Sequence, residues 1–178
     1  ISIKMNKWFF SFYVLLLLSI NCIGQDYKLI ETEAHLLDST SAWCSILKEY
    51  STTKLQGDQP QSSCYDKSFI YGKWFKFQAT SALTEIKVKV GAKNGSMQWP
   101  RISIWDQNFN ELECQNSFSD TANIGLIYTK YELGNWYYIS VNHNNNPKYI
   151  GSFILCLSNE LNNDYKDGAT FISNTSNW

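Results

Sequence analysis

The chain has 178 residues and carries 15 Lys and Arg against 16 Asp and Glu, a net charge of −1. That length is enough for one domain with a good core, and the even charge argues against a nucleic-acid partner. Aromatic residues make up 16% and prolines number only three, which suits a strand-rich fold with many rings buried or displayed.

Residues 1–24 read as a secretory signal peptide with upstream residues. Met5-Asn6-Lys7 is a short basic start, Trp8 to Ile20 is apolar with few interruptions, and Gly24 is a small residue at a cleavage point before Gln25. The run is short of the roughly 20 apolar residues of a membrane span, so no stable span is expected once the leader is removed. A lipoprotein reading would make Cys22 the acylated residue, but Asn21 is a poor substitute for the small residue expected before it. Loss of the leader leaves Cys44, Cys64, Cys114 and Cys156. Four cysteines in an oxidising compartment suggest two disulfides, with three connectivities open. Cys44–Cys64 with Cys114–Cys156 is the preferred set, the first closing a 20-residue loop worth roughly 3 kcal/mol in chain entropy. A metal site is disfavoured: there is no Cys-x-x-Cys, and both histidines lie far from any Cys in sequence.

Within 26–42 a strand is expected around 34–37, followed by a Ser/Thr turn. Residues 43–56 read as a short helix or an irregular crossing, and 57–67 as a loop, with Gly57, Asp58 and Pro60. Strands then follow at short spacing. Residues 73–78 put Phe75 and Phe77 on one face, and 85–90 put Ile86, Val88 and Val90 opposite Lys87 and Lys89. Residues 101–105 point Ile102 and Ile104 inward, and a connection over 106–110 leads into 111–114. A strand at 124–128, a turn at Leu133-Gly134-Asn135, a strand at 136–142 carrying Tyr137, Ile139 and Val141, and a closing strand at 151–158 carrying Phe153, Leu155 and Leu157 complete the series. About eight short strands with turn residues between them predict an all-β, antiparallel, two-sheet β-sandwich of jelly-roll type over 25–160.

The end of the chain repeats its beginning. Asp26-Tyr27-Lys28 leads through Ala34 to Trp43, and Asp164-Tyr165-Lys166 leads through Ala169 to Trp178; Ala and Trp are nine positions apart in both. Residues 161–178 thus read as a linker and the first strand of a truncated second copy, in a tandem series of whole domains.

Several motifs coincide with this layout: Trp43-Cys44-Ser45, Ser63-Cys64, Trp74-Phe75-Lys76-Phe77-Gln78-Ala79, Ile104-Trp105-Asp106, Glu111-Leu112-Glu113-Cys114, Gly134-Asn135-Trp136-Tyr137-Tyr138-Ile139-Ser140-Val141 and Gly151-Ser152-Phe153-Ile154-Leu155-Cys156. The set resembles the pre-peptidase C-terminal-like β-sandwich repeat of large secreted surface proteins of gliding-type Gram-negative bacteria. The resemblance covers almost all of 26–160. It implies a non-catalytic accessory module, repeated in one chain and carried to the outer cell surface or beyond. It supplies no catalytic set to carry over.

The functional readings follow from what remains. His35 and His143 are the only histidines, and no nucleophile elbow, zinc motif or phosphate loop accompanies them, so no enzyme and no cofactor are expected. By alternation Trp74, Trp105, Trp136 and Tyr138 point away from the main apolar face, and Trp99 lies near a turn. These five are the candidate ligand-facing aromatics for a sugar; the alternative is that loops or a flanking repeat cover them. Asp106-x-Asn108-x-Asn110 resembles the first half of a calcium loop, but Glu111 stands where Gly is needed and Ser117 where Glu is needed, so an Asx-rich turn is the better reading. Asp38-Ser39-Thr40 and Asp120-Thr121-Ala122 resemble short O-glycosylation acceptors, with plain turns as the alternative. The expectation is an extracellular or cell-surface module for adhesion, display and spacing. Its partners are neighbouring repeat copies, with surface glycans or other cells as candidate ligands. The rival readings are a carbohydrate-binding module and an accessory domain of a secreted hydrolase.

Overall fold

A computed structural model of the chain describes residues 27–159, apart from Ser39, Asp66 and Ala92. The expected leader over 1–24, Cys22 and the expected second copy over 161–178 lie outside the described residues. Eleven strands are described. β1 (His35–Leu36), β2 (Trp43–Cys44), β3 (Tyr50–Ser51) and β4 (Thr53–Lys54) are two residues each; β5 (Tyr71–Gln78), β6 (Thr84–Lys89), β7 (Pro100–Trp105), β8 (Glu111–Asn116), β9 (Ile124–Tyr128), β10 (Trp136–His143) and β11 (Ser152–Ser158) are longer. They form two sheets. The larger runs β1-β5-β10-β7-β8, with β4 also on β5; the smaller runs β2-β11-β6-β9, with β3 also on β11. Every pairing is antiparallel except β1 with β5. The expected two-sheet all-β sandwich is therefore the fold.

The core between the sheets follows the alternation. Phe75 and Phe77, Ile102 and Ile104, and Ile139 and Val141 from the larger sheet meet Ile86 and Val88, and Phe153, Leu155 and Leu157, from the smaller. Each of these eleven side chains is at most 1% exposed. Period-two reading works here because the inner face of each sheet is closed mainly by the other sheet, with Leu37, Met97 and Tyr131 added from the connections.

The outer face of the larger sheet is not wet. Trp74, Trp105 and Tyr138 project there and are covered by Ile30 and Ala34, by Tyr65 and Phe69 of the 55–70 segment, and by Phe109, forming a second apolar cluster. Strand β10 is consequently buried on both faces for all but its first residue. The expected strand around 34–37 is present as β1, His35–Leu36, and the covering element precedes it. Residues 28–33 form a helix, α1 (Lys28–Glu33), whose buried residue is Ile30, and only His35 and Leu36 pair as strand. Lys-Leu-Ile-Glu-Thr-Glu has ordinary helix formers and no Gly or Pro, and a single apolar side on the cluster is enough to seat one turn and a half. Residues 43–56, expected as a helix or irregular crossing, supply β2, β3 and β4 instead.

The disulfides also differ from the preferred set. Cys44 bonds Cys156 and Cys64 bonds Cys114. Cys44 and Cys156 are direct cross-strand partners on β2 and β11, 4.0 Å apart at Cα. Cys64–Cys114 ties the 55–70 cover to β8, with Cα atoms 6.2 Å apart. Preferring the shorter loop failed because the sheet order lays an early strand beside the last one. By the chain-entropy argument each bond, taken alone, is worth about 4–5 kcal/mol for separations of 112 and 50 residues. No helix among the described residues is long and apolar enough to cross a membrane.

Candidate functional site

The turn between β7 and β8 is built by one carboxylate. Asp106 Oδ1 accepts hydrogen bonds from the backbone N–H groups of Asn108 and Asn110, both at 2.8 Å, and Oδ2 accepts from Asn110 Nδ2 at 2.8 Å. This is an Asx turn, the form weighed against the calcium-loop reading. Among the described residues no group of three or more His, Cys, Asp or Glu could hold a metal. Phe109 takes φ +60° and drops its ring onto Tyr138, with centroids 4.7 Å apart. The turn is thereby anchored from below, and the exposed Gln107 and Asn108 stand at its tip.

A second loop, between β9 and β10, faces this turn. Tyr131 is 3% exposed and packs on Tyr128 and Tyr137, both at 4.7 Å between centroids. Glu132 N–H donates to Tyr137 Oη at 2.9 Å, and Asn135 Nδ2 donates to Glu132 Oε2 at 2.8 Å. Gly134 at φ +83° turns the chain into β10, its carbonyl accepting from Gln78 Nε2 at 2.7 Å. A groove of about 230 Å³ lies between the two loops, with Trp136 and Tyr128 among its lining residues. The Tyr128 phenol is held above its usual range, first by burial and then by surrounding negative charge, including Asp106, Glu113 and Glu132.

Of the five aromatics singled out, three are withdrawn from any ligand. Trp74, Trp105 and Tyr138 are 4%, 1% and 7% exposed. Their polar edges are used internally: Trp74 Nε1 donates to Gln59 Oε1 at 2.8 Å and Trp105 Nε1 to Ser140 Oγ at 3.1 Å. The loop cover weighed as the alternative accounts for all three. Trp136 stays 39% exposed at the start of β10 and joins the groove. Trp99, half-buried at φ +53°, precedes β7, whereas Trp136 lies beyond the other end of that strand. The two do not share a surface.

The histidines have unrelated neighbours. His35 Nε2 lies 2.9 Å from Tyr50 Oη. His143 is fully buried, stacks on Tyr71 with planes 12° apart, and donates from Nδ1 to the Asn144 carbonyl at 2.6 Å. Thr40 is buried against Thr80 and Asn159, which withdraws it as a glycosylation acceptor; Thr121 is exposed, and Ser39 lies outside the described residues.

One buried polar cluster was missed by sequence. Beneath the 55–70 cover, Ser103 Oγ meets Ser62 Oγ and Tyr65 Oη, both at 2.9 Å, and Asn142 Nδ2 donates to Tyr65 Oη at 3.3 Å. The Arg101 guanidinium sits 4.9 Å over the Tyr65 ring. Burial pushes the Tyr65 phenol up to about 12 against the lowering effect of these partners. The signal was present: Arg101 and Ser103, and Ser140 and Asn142, alternate in phase with Trp105 and Tyr138. A polar outward face read from one sequence looks solvated.

No protein-family model matches this chain, and no curated protein matches it in sequence.

Proposed function

We propose that this chain is a non-catalytic β-sandwich repeat module that works outside the cytoplasm in display, spacing and adhesion, and that it does so by bearing tension. One observation supports the reading above the others. Cys44 and Cys156 are bonded 4.0 Å apart at Cα and 112 residues apart in sequence. A pull applied to the two ends of the chain passes from β2 to β11 through a covalent bond. Everything between them is shielded from the load. Two bonds of this kind are compatible with an oxidising, extracellular setting. The resemblance to pre-peptidase C-terminal-like repeats favours the same role, with neighbouring copies strung along one chain and weak contacts summed by effective concentration.

The test is mechanical. The oxidised chain held by its ends should lengthen only by its outer segments, and reduction should release the core between Cys44 and Cys156. An oxidised chain that opens as far as a reduced one would sink the reading.

A further inference from the structure

We infer that the groove between the 106–110 turn and the 129–135 loop is a binding site for a single neutral sugar ring, with Trp136 as its stacking platform. This goes beyond the tension-bearing role, which stands or falls separately. Trp74, Trp105 and Tyr138 share the outer face of the larger sheet with Trp136, and the fold covers those three to between 1% and 7% exposure. Trp136 alone of the four is left open, at 39%, beside a concavity. An aromatic face bordered by planar polar side chains is what a pyranose ring requires: C–H groups lie on the ring, and hydroxyls reach outward to donors and acceptors.

The rim supplies those partners. Gln107, Asn108 and Lys130 line the groove, are exposed, and have side chains that make no hydrogen bond among the described residues. Glu132 spends Oε2 on Asn135 and keeps Oε1 for a hydroxyl. Both walls are preorganised, one by the three bonds to Asp106 and the other by buried Tyr131 and the Glu132–Tyr137 bond. Little backbone ordering is left for a ligand to impose, and the cost of binding falls on the rim side chains.

Charge selects the class of ligand. Asp106, Glu113 and Glu132 all act on the Tyr128 phenol, and Lys130 is the one cation lining the groove among the described residues. A carboxylated or sulfated sugar would meet net negative charge, whereas a neutral one meets donors and acceptors only. Volume sets the extent. About 230 Å³ falls below the roughly 300 Å³ at which drug-sized pockets begin, so the groove takes one ring rather than a chain segment.

The experiment is an amide and indole NMR titration of the oxidised chain with cellobiose, laminaribiose, mannobiose, maltose and chitobiose, with digalacturonic acid as the anionic probe. At least one neutral disaccharide should shift the Trp136 indole N–H and the Asn108 amide at millimolar concentration. Trp136→Ala should weaken that binding at least tenfold and Gln107→Ala severalfold, with the Trp74 and Trp105 indole signals unmoved as the check on folding. Trp99→Ala should leave binding unchanged. The inference is overturned if no neutral probe shifts Trp136, if binding survives Trp136→Ala, or if digalacturonic acid binds in preference. None of those results would alter the mechanical reading, which the extension measurement decides.

Discussion

Tension through Cys44–Cys156 can be read as a length. With both disulfides closed, a pull on the ends of the chain can extend only the residues outside Cys44 and Cys156, because the chain between them, a separation of 112 residues, is bypassed. A fully extended chain spans about 3.3–3.6 Å per residue, so opening both bonds and unfolding the core should add about 370–400 Å. The second bond makes the response graded. Cys64–Cys114 closes 50 of those residues within itself. Cys156→Ser should therefore free only about 62 residues, an added length of about 205–225 Å. Further reduction should then yield the remainder in a separate step. Optical-trap pulling with handles at the two ends, under oxidising conditions, with reductant, and on the Cys156→Ser variant, gives all three lengths. An oxidised chain that releases several hundred ångströms, or a Cys156→Ser variant as long as the reduced one, would refute the reasoning.

Two more predictions rest on the outer face of the larger sheet. Trp105→Ala should destabilise the fold by about 3–5 kcal/mol in urea unfolding, because the ring is 1% exposed and Ser140 Oγ loses its donor. Trp136→Ala, on the same face but open, should cost under about 1 kcal/mol; equal losses would mean that the cover over Trp105 is not part of the folded core. His143 should make the protein less stable in mild acid. Burial first, and then the Arg101 charge, hold its imidazole below the ordinary 6.5, only partly offset by the bond to the Asn144 carbonyl. In that window the unfolded chain takes up the proton more readily, so the stabilisation is complete above pH 6.5 and is lost as pH falls through the folded value. Urea midpoints at pH 7.5 and 5.5 should separate for the native chain and draw together in His143→Gln; an unchanged separation would count against it.

What could be read from sequence divides by how many surfaces a segment faces. Strands β5 to β11 were legible, with inward phases at Phe75, Ile86, Ile102, Ile139 and Phe153, because alternation reports one closed face directly. The helix at 28–33 and the cover over 55–70 were not, because their reason lies across the fold: they exist to bury Trp74, Trp105 and Tyr138. For the same reason the outward Ser103, Ser140 and Asn142 looked wet while being fully buried. Cysteine pairing was illegible because spacing carries no strand order, and β2 beside β11 is a property of the sheet. The groove was half visible. Trp136 and the 106–110 turn each drew notice, for a sugar and for an ion, but nothing local to Tyr131 or Glu132 announces that their loop closes the other wall.

The claim that everything mechanical depends on is covalent. Proteolysis of the native chain without reduction, followed by mass spectrometry of the linked peptides, should recover Cys44 joined to Cys156 and Cys64 joined to Cys114. Peptides joining Cys44 to Cys64, or free thiols at any of the four positions, would contradict the account.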